Sequence, residues 1–238
     1  MFIGRPPYIE QLNDISFWYP ILERIGMRTP KTQLFYIDRE AGKIVDGEQT
    51  DSFKHLVAEV GQAMEEFGGK AFLRTGQTSN KHDWKDTCFI DRKSNLVNHI
   101  YRLIEFSMMA DLPYTTFAVR EVIDTKPIVT TFNDMPIARE IRLFAESGKI
   151  VCSHPYWPSE AFTGKNKITE QQLLLLQQMP DMEELTLMAE FVSSAFQGAW
   201  SIDFLQDTSG NWWLIDMAQA GSSYHWKGCE HQHDFEDI

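Results

Sequence analysis

The sequence predicts an α+β protein built as two lobes. Three observations carry this: apolar residues recur at strand spacing in short runs and at helical spacing in longer ones, the two kinds interleave along the chain, and the later half contains two hairpins. With 238 residues and 43% hydrophobic content the chain can bury a real core. No long tract is rich in Gly, Ser or Pro, which argues against a disordered chain or a linker-joined array.

Residues 1–28 are aromatic and carry prolines, and the first clear element is the buried strand Gln33-Leu34-Phe35-Tyr36-Ile37-Asp38. Phe53, Leu56, Val57, Val60 and Met64 fall at helical spacing over 51–67, with Gly68-Gly69 as the stop. Ala71-Phe72-Leu73-Arg74 is a short strand, 75–83 a polar, Gly-containing loop expected to be mobile, and Thr87-Cys88-Phe89-Ile90 the strand that follows it. Leu96, Val97, Ile100, Leu103, Ile104 and Met108 mark a second helix over 94–110. Strands are expected over 116–123, 137–144 and 149–152, the last two joined as a hairpin by Glu146-Ser147-Gly148. Helices over 168–178 and 182–195 flank Pro180-Asp181, and a second hairpin joins 200–205 to 212–216 through 207–211. The lobes meet near 125–127, giving an N-terminal region and N-lobe at 1–125 and a C-lobe at 126–238.

The formal charge of −12 argues against bulk attraction to a nucleic-acid backbone, so a nucleic-acid partner is not favoured. Apolar runs such as Leu173 to Leu176 are far short of the roughly 20 residues that cross a bilayer, and no charged-then-apolar signal opens the chain. Cys88, Cys152 and Cys229 are an odd number at wide spacing, unlike a disulfide framework. These features point to a cytoplasmic protein with no membrane partner.

Asp203 and Asp216 sit on the two strands of the final hairpin, where strand alternation can bring them together while Ile202, Phe204 and Leu214 are buried. Paired acids near a core repel by several kcal/mol unless a cation or proton lies between them, and magnesium favours carboxylate oxygens. Carboxylates in solvent fit the same positions. Arg74 and Lys81 bracket a run of small polar residues, so a guanidinium fork and an ammonium could close over a polyphosphate; an ordinary exposed hairpin has the same composition. Glu140 and Arg142 alternate with Ile141 and Leu143, which places them on one face, either as a surface ion pair or as part of a site. Cys229, His231 and His233 are zinc-ligand types but lack a rigidly placed fourth partner, and a frayed acidic tail is the favoured reading. His82 and His225 read as hydrogen-bonding neighbours of a site, and Trp200, Trp212 and Trp213 as core.

Four blocks, Phe117-Ala118-Val119-Arg120-Glu121-Val122-Ile123, Arg139-Glu140-Ile141-Arg142-Leu143-Phe144, Ile202-Asp203-Phe204 and Leu214-Ile215-Asp216, resemble in order and spacing those of a compact ATP-grasp clade of bacteria and phages. That clade is similar to the eukaryotic cell-division-cycle protein 123 family. The resemblance covers residues 72–226 and implies an ATP-grasp fold with ATP bound between two lobes. It implies further that Arg74 and Lys81 hold phosphate, with Lys85 the alternative to Lys81, and that Arg120 stands on the Arg-bearing strand. Glu121, Val122 and Ile123 would form the adenine-reading hinge, Arg142 would meet the transferred phosphate, and Asp203 and Asp216 would hold Mg2+ with Glu140 beside them. The family often has an Asn two residues after the second acid, and here that position is Ala218, with Gln219 as the nearest polar substitute. Expected activities are an ATP-dependent ligase acting on a carboxylate or a protein or peptide acceptor, an ATP-binding assembly factor, or a nucleotidyl-transferring nucleic-acid ligase.

Overall fold

The computed structural model describes residues 9–232, without the side chains of Ile9 and Glu10. In chain order the elements are α1 (Ile9–Leu12), α2 (Ile15–Arg24), β1 (Thr32–Tyr36), α3 (Asp51–Glu66), β2 (Lys70–Thr75), β3 (Phe89–Asp91), α4 (Leu96–Met109), β4 (Thr116–Arg120), β5 (Val129–Thr131), β6 (Met135–Ile137), β7 (Glu140–Glu146), β8 (Lys149–Pro155), α5 (Glu170–Gln177), α6 (Glu183–Ser193), β9 (Ala199–Gln206) and β10 (Trp212–Gln219). Short 3-10 turns connect several of them. Among the described residues no helix is long and apolar enough to cross a membrane.

The chain forms two compact units. One comprises 30–123 and 130–135, and its sheet runs β1-β4-β2-β3 with the pairings antiparallel. Helix α3 forms where Thr50 caps the Phe53 amide at 3.2 Å, and it ends where Gly68 and Gly69 both take φ +87, a conformation costly for other residues. Its apolar stripe, Phe53, Leu56, Val60 and Ala63, joins Ile100, Leu103 and Ile104 of α4 and one face of the sheet, Ala71, Leu73, Ile90, Phe117 and Val119, all with no exposed surface. The other face carries Arg74 and Arg120: Arg120 lies opposite Phe72, and Arg74 two residues on lies opposite Ala118.

Of the described residues, the second unit comprises 9–29, 124–129 and 136–232, around the antiparallel sheet β10-β9-β7-β8. Ile141, Leu143, Ile202, Phe204 and Leu214 make a fully buried face, and Leu185, Ala189 and Val192 are buried where α6 packs on β7, β8 and β9. Helix α2, in a stretch for which periodicity indicates no element because Pro20 interrupts it, packs on β10 and stacks Phe17 on Trp200 at 6.2 Å. These contacts explain why the first residues group with the C-terminal unit, whereas the sequence assigns them to the N-lobe. Residues 124–129 group there too, through the Thr125–Asp207 bridge and the Thr208 amide on the Asp124 carbonyl.

The sequence misses the β5–β6 hairpin, whose tip, Phe132-Asn133-Asp134, takes three successive left-handed conformations at φ 48, 59 and 65. Asn and Asp tolerate this region. Asn133 donates to Asp83 and Asp86 at 2.9 Å, and buried Phe132 stacks on His82 at 4.6 Å, which offsets the strain.

Candidate functional site

In the unit of residues 30–123, the Arg74 guanidinium is buried and donates to the carbonyls of Thr75 and Gly76 at 3.1 and 3.5 Å. Arg120, also buried, donates to the Thr32 hydroxyl at 3.0 Å. Two cations thus stand on the same face of one sheet, the face away from the helices. The loop after Arg74 is more tied than its composition implies: Thr75 and Thr78 exchange hydrogen bonds at 2.8 and 3.2 Å, and the Thr87 hydroxyl donates to the carbonyls of Asn80 and Asp83. Lys81, half-buried, opens the 3-10 turn Lys81–Asp83, while Lys85 is exposed and ion-paired with Asp134. Burial, with Lys81 nearby, pushes the His82 pKa down. Strand β4 ends at Arg120 rather than Ile123, although the Glu121 amide still donates to the Lys31 carbonyl at 2.8 Å; Val122 and Ile123 lie half-buried beyond it.

In the other unit the sheet builds a row of chemistry from one register. Asp216 on β10 faces Asp203 on β9, Asp203 faces Arg142 on β7, and Arg142 faces His154 on β8. Regular alternation from the Leu214–Phe204 pair would put Asp216 on the apolar face with Leu214. A β-bulge at Ile215 inserts one residue and turns Asp216 to the side of Asp203. The same shift places Ala218 opposite Ser201 on the site face and Gln219 opposite Trp200 on the buried one. Gln219 therefore does not stand in for the usual Asn; the polar atoms beside Ala218 are the Ser201 and Ser223 hydroxyls, 2.5 Å apart.

Arg142 grips Asp203 with both arms, Nε to Oδ1 and Nη2 to Oδ2 each at 2.7 Å, and Nη1 donates to the Tyr224 carbonyl at 3.2 Å. Its guanidinium carbon lies 4.7 Å from the Tyr156 ring centroid. Burial works against the charge, but Asp203 outweighs it, with smaller contributions from Tyr156 and Asp216, and holds the Arg142 pKa above its ordinary value. The cation that two facing aspartates require is thus met in part by Arg142. Glu140, 9% exposed, shares this face, and its carbonyl accepts from the Tyr156 amide at 2.9 Å. Asp216 is half-buried and accepts from the Met217 amide at 3.1 Å. These carboxylates offer hard oxygens of the kind magnesium favours, Asp203 through lone pairs that the guanidinium leaves.

Tyr156, Tyr224 and His154 escape the sequence reading, which ends the strand at Cys152; β8 runs to Pro155. Its polar Ser153-His154 pair hides an edge strand whose one face looks onto charge. The signal available was parity: Cys152, His154 and Tyr156 alternate in step with Arg142. Trp200 and Trp212 are buried as expected, while half-buried Trp213 donates to Asp207 at 2.9 Å. His233, Asp234 and Glu236 of the tail lie outside the described residues.

No curated protein matches the chain in sequence. Among solved structures it is similar to Cdc123 from Schizosaccharomyces pombe, at 14% identity and TM-score 0.56 over 94% of this chain and 91% of that one. It is also similar to a RimK domain protein ATP-grasp from Sphaerobacter thermophilus DSM 20745, at 11% identity and TM-score 0.50 over 88% and 60%. A third is D-alanyl-alanine synthetase A from Vibrio cholerae O1 biovar eltor str. N16961, at 12% identity and TM-score 0.50 over 88% and 55%. The chain thus spans under two thirds of the length of these last two. At such identities the likeness establishes the fold, which is ATP-grasp and mixed α+β. The family model described as ATP-grasp domain, family 3 of its clade, matches residues 59–235, and on that match the chain belongs to this ATP-grasp family.

Proposed function

We propose that this chain is an ATP- and magnesium-dependent ligase that activates a carboxylate as an acyl phosphate and joins it to an amine or another nucleophile. The observation that carries this reading is the row Asp216, Asp203, Arg142 across one sheet, in a chain of ATP-grasp family. Arg74 and Lys81 hold the nucleotide phosphates, Lys85 being the alternative, and Arg120 supports Arg74 from the same sheet face. The backbone of Glu121, Val122 and Ile123 reads adenine. Arg142 meets the transferred phosphoryl group with a fork that Tyr156 and Tyr224 keep oriented, so that catalysis rests on positioning and charge rather than on a covalent nucleophile. Asp203 and Asp216 would hold magnesium, with Glu140 beside them, and the ion when bound would neutralise charge on the phosphate oxygens. The substrate carboxylate attacks the γ-phosphorus as the bond to ADP breaks, and the nucleophile then displaces phosphate from the acyl carbon. The name of the Vibrio neighbour, a synthetase that makes a dipeptide, supports an acceptor of amino-acid or peptide type.

Incubation with labelled ATP, magnesium and pooled carboxylate and amine acceptors tests this. Acceptor-dependent release of ADP and phosphate is expected, and AMP as the product would refute it. A second reading, an ATP-binding assembly factor like Cdc123, is favoured by Ala218 at the usual Asn position and by near-complete mutual coverage with that structure. Binding of ATP without turnover in any acceptor pool would select it.

A further inference from the structure

On the edge strand of the C-terminal unit's sheet, Cys152 and His154 project from alternate positions of β8 to the face that bears Arg142. The segment after β10 brings His225 and Cys229 to the same place. One ligand-type atom from each of these four residues lies within 4.8 Å of all the others, and all four residues are half-buried. We propose that Cys152, His154, His225 and Cys229 form a structural zinc site. The set is Cys2His2, the commonest closed tetrahedral donor set together with those richer in cysteine, and two thiolates would cancel the ion's charge.

The packing holds the imidazoles as fixed ligands would be held. His225 stacks on Phe144 at 4.2 Å and 6° between planes, and its Nε2 lies 3.1 Å from the Cys152 sulfur. Trp226 stacks on His154 at 5.9 Å and 5°. His154 Nε2 is buried with no hydrogen-bond partner among the described residues, an orphan that metal ligation at this imidazole would account for. A tetrahedral zinc sets its ligand atoms roughly 3.3–3.8 Å apart, so closing from a 4.8 Å spread asks for side-chain adjustment only. Gly228, at φ +83, permits the turn that returns Cys229 to the strand. Tyr224, whose carbonyl accepts from Arg142, immediately precedes His225. Zinc would therefore pin the segment that orients Arg142, a structural role beside the Arg142 strand. Cys229 then finds its partners on β8 and in His225, while His231 lies beside Glu230 at 3.4 Å.

The test uses the full chain, reduced and stripped of metal, titrated with Co2+ in the absence of ATP. A thiolate-to-cobalt charge-transfer band with strong tetrahedral visible bands is expected, saturating at an equimolar ratio and displaced by zinc. Cys152→Ala and Cys229→Ala should each lose the charge-transfer intensity of one thiolate, and Cys88→Ala should retain all of it. Only the weak octahedral spectrum in the wild-type chain would overturn the proposal, whatever the variants do. So would full intensity in both Cys152→Ala and Cys229→Ala, or an intact mass of the purified chain showing Cys152 and Cys229 joined as a disulfide.

Discussion

Substituting Asp203 and Asp216 one at a time by Asn separates two roles that the facing carboxylates play. In Asp203→Asn the Arg142 fork loses both 2.7 Å charge-assisted bonds and meets an amide that can accept from only one arm, its NH2 opposing the other. The side chains of the pair are 15% and 5% exposed, so the remaining guanidinium keeps little water. Breaking a buried pair on one side costs about 3–5 kcal/mol. The lower end is expected here, because the Tyr224 carbonyl and the Tyr156 ring stay in place. Asp216 is more open and only a minor contributor to the Arg142 charge, so Asp216→Asn should cost about 1 kcal/mol or less in the absence of ligand. Magnesium ATP should reveal the role of Asp216: it should stabilise the wild type by RT ln(1 + [L]/Kd), and Asp216→Asn should lose most of that gain. Urea unfolding followed by tryptophan fluorescence, with and without magnesium ATP, measures both. Equal midpoint losses for the two variants without ligand, or an Asp203→Asn loss under about 1 kcal/mol, would refute the reasoning from burial.

Three further outcomes follow from the geometry. Arg74→Ala and Arg142→Ala should each weaken ATP binding by about ten-fold or more, on the order of 1.5–3 kcal/mol, whereas Lys85→Ala should change it little, since Lys85 is exposed and paired with Asp134; isothermal titration ranks them, and Lys85→Ala as the worst would make Lys85 the phosphate ligand. Asp207 is held down to about 2 by Trp213 first and by Asn211, so the stability it lends is full above its unfolded pKa of about 4 and is lost as pH falls through about 2; Asp207→Ala should flatten the wild-type loss across that window in acid-unfolding curves, and parallel curves would count against it. Deleting Ile215 should remove the extra residue while leaving Asp216 opposite Asp203 on the site face, so stabilisation by magnesium ATP should persist in a thermal-shift assay, and its loss would show that the bulge sets more than the phase of the strand.

Much of this molecule is legible in its sequence where one face of an element faces one environment. The α3 and α4 stripes and the final hairpin follow from periodicity and turn residues alone. The blocks that resemble ATP-grasp proteins lie in such elements, which is why the family is readable. Legibility fails where a long-range partner decides. Pro20 hides α2, whose place is fixed by β10; Ser153 and His154 hide the end of β8, whose partner is the charged face of β7. The Arg142–Asp203 grip joins residues 61 apart, and the Cys152–His225 contact residues 73 apart, separations that composition cannot anticipate.

The extra residue at Ile215 resets the phase of β10 partway along its length. Trp212 and Leu214 are read in one frame, Asp216 and Ala218 in the other, so the hairpin is two devices in series: an outer half whose spacing answers to the core and an inner half whose spacing answers to the charged face of Asp203 and Arg142. Mutation can then work on either half without transmitting a change of face to the other. Bulges also sharpen the local twist, which rotates the acid-bearing half against the half that anchors it. A single inserted residue thus lets a strand that must be greasy to fold present an acid at the point where it is needed.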